Sequence, residues 1–110
     1  MIYKFVFRFL SFQDTRTHIV QEIFRNEQSY VESLQTMVNR YLKVLKSPEH
    51  SGIIEPRTVD EIFFMVPDIL EIHEKFLAEL RNRLDNWDAQ QKVGDAFMET
   101  VGSYLFSFSF

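Results

Sequence analysis

Two carboxylates on one long amphipathic stretch, Glu22 and Glu27, are the side chains here whose type and setting invite chemistry. The stretch runs from His18 to Leu45. At about 100° per residue, Val20, Ile23, Phe24, Tyr30, Val31, Leu34, Met37, Val38, Tyr41, Leu42 and Leu45 share one broad apolar arc. Glu27 lies in the centre of that arc, where an unpaired carboxylate is costly. It is expected to be a structural acid, buried or half-buried, accepting bonds from a neighbouring helix end or a cation. Glu22 lies at the border of the arc, in a polar strip with Ser29, Ser33 and Arg40. Taken alone, such a carboxylate is a solvated surface residue. What it offers chemically is acceptance of hydrogen bonds from a partner.

The remaining candidates for chemistry fail on type or spacing. Of the three histidines, His18, His50 and His73, only His73-Glu74 opens like a zinc-protease helix, and Leu77 stands where the second histidine belongs. No metal site or cofactor is expected, and His73 reads as a helix-surface residue packed beside Leu70 and Leu77. The chain has no cysteine, which excludes disulfides, thiol nucleophiles and zinc-thiolate sites and fits a cytoplasmic setting. No glycine-rich phosphate loop occurs, so the chain is not expected to bind nucleotide itself or to be an enzyme with covalent chemistry. The net charge of −4 gives no footprint for nucleic acid or anionic lipid. No apolar run approaches the ~20 residues of a membrane span, so direct membrane insertion is not expected.

These side chains must be positioned by helices. Only three glycines and three prolines among 110 residues favour few turns and long helices. Asp14, Thr15 and Thr17 are N-cap candidates for a first helix that runs to about Lys46, ahead of Ser47-Pro48. A polar loop spans Glu49 to Arg57. Thr58-Val59-Asp60-Glu61 forms a capping box for a short second helix. Pro67 suits the first turn of a third helix reaching about Asn86, with Asp68 near its positive end. A fourth is expected to start among Ala89–Lys92, with Gly94 inside it at some cost. Ile69, Ile72, Phe76, Leu77, Leu80, Leu84 and Trp87 form the stripe that can cover the first helix.

Both ends differ from this middle. Residues 1–12 and 104–110 hold seven of the twelve phenylalanines and alternate at period two, a strand pattern. Lys4 and Arg8 interrupt any secretory core, no small-residue cleavage site follows, and an isolated strand pair is marginal in water. The ends are read as foreign to the fold, as in a truncated or mis-spliced product. The organisation expected is a Phe-rich extension over 1–13, a helical unit over 14–98 and a Ser/Phe-rich tail over 99–110.

The middle resembles a known family. Ile19-Val20-Gln21-Glu22-Ile23 followed by Glu27-Gln28-Ser29-Tyr30-Val31-Glu32-Ser33-Leu34 is similar to the first shared region of Dbl homology (RhoGEF) domains, a Glu one turn before Glu-x-x-Tyr-Val-x-x-Leu. Val59-Asp60-Glu61-Ile62-Phe63 and Ile69 to Leu80 resemble the family's short helix and the long one after it. Val93-Gly94-Asp95-Ala96-Phe97 resembles the start of a further helix.

The resemblance implies an all-α, elongated helical bundle: a long first helix, a short second, a long third and the start of a fourth. It implies a guanine nucleotide exchange factor whose partner is a Rho-family small GTPase, gripped at its two switch regions by the first helix and a late helix. Glu22 falls where the family places a glutamate that engages switch 1, and Ser29 and Ser33 share its strip. The family's late helix, with basic and amide residues for switch 2, has no counterpart here, nor does the pleckstrin homology domain that usually follows. The expectation is therefore a truncated domain with little exchange activity. The alternative is a non-catalytic helical interaction fragment.

Overall fold

The computed structural model describes residues 15–108, and these form an all-α bundle. The expected period-two pattern at residues 1–12 lies outside the described residues, as do Asp14 and residues 109–110.

Helix α1, Thr15–Thr36, passes without a break into a π-helical segment, Met37–Leu42, and a final α-turn, Lys43–Leu45. Its end before Ser47-Pro48 matches the expectation from proline's effect on the preceding backbone. A 3-10 turn, Pro48–His50, leads to α2, Pro56–Ile62. The capping box does not form. Pro56 at the first helical position, after an extended Glu55, starts α2 two residues earlier, so Thr58 already lies inside the first turn.

Helix α3, Val66–Asp85, carries Pro67 in its first turn and Asp68 beside it, as the sequence suggests. Met65 precedes it in the left-handed region, φ 67°, and sets the sharp entry. The break at Asn86-Trp87-Asp88 is present. Helix α4, Gly94–Ser107, starts later than expected. Gly94 is its first residue and carries no mid-helix penalty. The strand pattern expected over 104–110 is overturned for the described part: Tyr104–Ser107 are helical. Helical spacing puts Ala96, Thr100 and Tyr104 on one side, and that side packs.

The core is a continuous seam between antiparallel helices. At one end Val31, Leu34 and Val38 of the first helix meet Leu70. At the other, Val20 meets Leu84 and Trp87. Between them Phe76 and Leu80 of α3 meet Ala96 of α4, with Ile23 and Phe24 of α1 packed against them. Leu80 and Val59 are fully buried. Ala96 has no side chain beyond Cβ, which lets α4 approach α3 closely. The bundle is elongated, 57 × 33 × 18 Å, because its two longest helices lie side by side.

The open end is tied by polar bonds. Trp87 donates its indole N–H to Thr17 Oγ1 at 3.0 Å. Thr17 is thus a buried partner within α1 rather than its cap. Arg16 stacks over the Trp87 ring at 4.3 Å and donates to the Gln91 carbonyl.

Candidate functional site

Glu22, Ser29 and Ser33 are all exposed on α1. Their separations of seven and four residues keep them on one helix face. Ser33 Oγ donates to the Ser29 carbonyl at 3.0 Å. Arg40, the fourth residue of the strip, is exposed on the π-helical segment. The strip therefore presents a carboxylate, two hydroxyls and a guanidinium to solvent along one side of the molecule's longest element.

Glu27 points the other way. Its carboxylate accepts a bond from His73 Nδ1 on α3, and His73 Nε2 bonds the Tyr104 hydroxyl on α4. The side chains of His73 and Glu27 are only 15% and 12% exposed. A carboxylate accepts, so Nδ1 carries a proton, and Nε2 shares a hydrogen bond with the Tyr104 hydroxyl. Burial pushes the Tyr104 phenol up, and the nearby Tyr30 and Glu27 add to it, so Tyr104 keeps its hydroxyl proton. Tyr30 meets the His73 ring edge-on at 4.8 Å and Phe76 meets it at 6.4 Å.

This corrects the reading of His73 as a surface residue. The phase of α3 carries the signal: His73 falls four residues after Ile69 and three before Phe76, on the packed side. Tyr104 was hidden by the period-two phenylalanine pattern, which pointed away from a helix.

A second polar cluster closes the α3–α4 corner. Arg83 donates to both carboxylate oxygens of Asp95, at 2.7 and 2.8 Å, to Glu79 at 2.8 Å and to the Lys92 carbonyl at 2.6 Å. Chiefly through its hydrogen bonds, the guanidinium holds the Asp95 carboxyl down at about 2. Arg83, Lys92 and Asp95 of this network line one wall of a shallow surface depression together with Gln90, Gln91 and Gly94. Among the described residues no group of three His, Cys, Asp or Glu side chains could hold a metal ion. No helix of the described residues is long and apolar enough to cross a membrane.

Comparison with known proteins follows the same helices. The family model of the RhoGEF domain matches residues 19–109. Rho guanine nucleotide exchange factor 17 of Homo sapiens is 45% identical over 87 residues, 79% of this chain and 4% of that protein. Rho guanine nucleotide exchange factor osg-1 of Caenorhabditis elegans is 32% identical over 99 residues, 82% of this chain and 8% of that protein. Protein ECT2 of Mus musculus is 29% identical over 89 residues, 79% of this chain and 10% of that protein. The chain thus spans 10% or less of the length of these relatives. No solved structure matches it. With an all-helical bundle and a family match over most of its length, the chain belongs to the RhoGEF domain family.

Proposed function

We propose that this chain supplies the first contact surface of a guanine nucleotide exchange factor for a Rho-family small GTPase, acting in the cytoplasm. The observation that carries the reading is the exposed strip of Glu22, Ser29 and Ser33 on α1, in a chain of the RhoGEF family. Glu22 would accept hydrogen bonds from a hydroxyl and backbone amides of a remodelled switch 1 loop. Ser29 and Ser33 add hydroxyls that donate or accept. No covalent bond forms in this mechanism. A surface that binds the nucleotide-free GTPase more tightly than the GDP-bound one weakens GDP and Mg²⁺ binding by the same factor, about 1.4 kcal/mol per tenfold.

On this reading the 110-residue chain alone binds its GTPase but speeds release little. The family's second contact comes from a helix bearing basic and amide residues, and α4 carries no Lys, Arg, Asn or Gln. Fluorescent-GDP release and binding to nucleotide-free Rho-type GTPases test both parts. Binding that Glu22→Ala weakens by about tenfold or more is expected, at the roughly 1–3 kcal/mol of a lost charged hydrogen bond. Fast release by the isolated chain overturns the claim of weak exchange, and unchanged binding by Glu22→Ala overturns the assignment of the strip. A second reading, a helical interaction fragment, draws on Met98, Val101 and Leu105, which α4 leaves 70%, 49% and 69% exposed.

A further inference from the structure

We infer that the Glu27–His73–Tyr104 relay is a positioning device: it fixes the rotation of α1 about its own axis, and with it the direction in which Glu22, Ser29 and Ser33 face. The inference rests on the reading above for what the strip meets, not for the relay itself.

His73 is held from both sides. Its two ring nitrogens are engaged by side chains from two different helices, Glu27 on α1 and Tyr104 on α4. Tyr30, Phe76 and Tyr104 stand edge-on around the ring at interplanar angles of 77°, 82° and 71°. The imidazole cannot turn without breaking both bonds, and α1 cannot turn without withdrawing Glu27.

Apart from two other directional ties of α1, Thr17 to the Trp87 indole and Gln35 Nε2 to the Glu74 carboxylate, both at 3.0 Å, the seam is apolar and less particular. Val20, Val31, Leu34 and Val38 bury against aliphatic and aromatic side chains. Such burial scales with area and has little directional demand. A hydrogen bond weakens steeply with angle and distance. At about 100° per residue, Glu22, Ser29 and Ser33 lie about 120–160° around the helix from Glu27. The acid is therefore keyed into the bundle on the side opposite the strip. With side-chain ends about 6 Å from the axis, a 20° rotation of α1 moves the Glu22 carboxylate by about 2 Å, enough to lose a hydrogen bond.

The chain has no cysteine, so spin labels can be placed singly. Glu32 and Lys75 are exposed, one on α1 and one on α3. In Glu32→Cys/Lys75→Cys chain carrying nitroxides, His73→Leu and Tyr104→Phe are expected to shift or broaden the label distance by about 2 Å with helicity retained. Tyr104→Phe removes one hydroxyl without changing the packing volume, so it reads out the relay where His73→Leu fails to fold. His73→Gln, whose amide can donate to Glu27 and accept from Tyr104, should restore the distance. An unchanged distribution in Tyr104→Phe overturns the inference whatever the GTPase does. In binding, Tyr104→Phe should weaken capture of nucleotide-free Rho-type GTPase by about tenfold, and that loss should shrink to about twofold or less in a Glu22→Ala background. A loss that persists in full there overturns the positioning role. If Glu22→Ala itself leaves affinity unchanged, the proposed contact falls, and the label distances still decide whether the relay sets α1.

Discussion

Thr17 and Trp87 join the start of the first helix to the second residue beyond the third. The indole N–H donates to the threonine hydroxyl at 3.0 Å, and both side chains are buried, at 1% and 4% exposure. Arg16, one residue earlier, lies over the same indole and reaches the backbone that leads into α4. One aromatic residue thus anchors three segments at the open end of the bundle.

Replacing Thr17 by Val keeps the shape and removes the acceptor. The expected cost is about 1–2 kcal/mol, the range for a buried polar group deprived of a partner. For a domain of this size each kcal/mol lowers the melting temperature by about 4–8 °C. Trp87 is the only tryptophan of the chain, so urea unfolding followed by its fluorescence reports the change at its source. An unchanged midpoint would show that the Thr17 hydroxyl adds nothing to the anchor.

The Arg83–Asp95 pair makes acid stability testable. Its folded-state carboxyl titrates near 2, against an ordinary 3.8. A depressed carboxylate adds stability that is present above its unfolded value and is lost as the pH falls through the folded one. The pair's contribution should therefore fade as the pH falls from about 4 to about 2. Asp95→Asn should lower the melting temperature at neutral pH and flatten its fall across that interval. A variant that melts with the same acid slope as the parent would show the pair to be inert.

Leu80 sits where three helices meet, fully buried against Phe76 and Ala96 with Ile23 and Phe24 at its edge. Leu80→Ala should cost about 2–5 kcal/mol, the range for a leucine cavity that collapses incompletely. Leu105→Ala, at a side chain 69% exposed, should stay within about 0.5 kcal/mol. Urea midpoints that fail to separate the two would contradict the packing of α4 on α3.

The helices and their breaks are legible because they follow from local chemistry. Pro48, Pro67 and the Asn86-Trp87-Asp88 break act within a turn of where they stand. The apolar phase of the first helix likewise marks Val20, Val31, Leu34 and Val38 as core. Much of what escapes depends on distant or competing partners. Thr17 looks like a cap until Trp87, seventy residues away, claims its hydroxyl. Thr58 looks like a cap until Pro56 starts the helix first. His73 is ambiguous by type; its phase puts it on the packed side of α3, and Glu27 and Tyr104 from two other helices complete its environment. The π-helical turn over Met37–Leu42 has no signature in propensity at all. Of the candidate strip, exposure and common face follow from phase, while its proposed role rests on the family resemblance.

The outer face of α4 carries the last prediction. Met98, Val101 and Leu105, spaced by three and four residues, form one apolar stripe turned to solvent. A stripe of this kind favours association at rising concentration. Met98→Lys with Leu105→Lys should shift the chain toward monomer in sedimentation velocity, with its helical circular dichroism unchanged. Lysine near the helix end also suits the negative pole of the dipole at residue 105. The pair of changes moves the net charge from −4 to −2. Charge alone would then promote association, since proteins nearer neutrality repel each other less. A shift toward monomer against that trend isolates the apolar stripe as the cause. A sedimentation profile that does not change, or moves toward larger species, would exclude the α4 face as an interaction surface and leave the α1 strip as the better candidate.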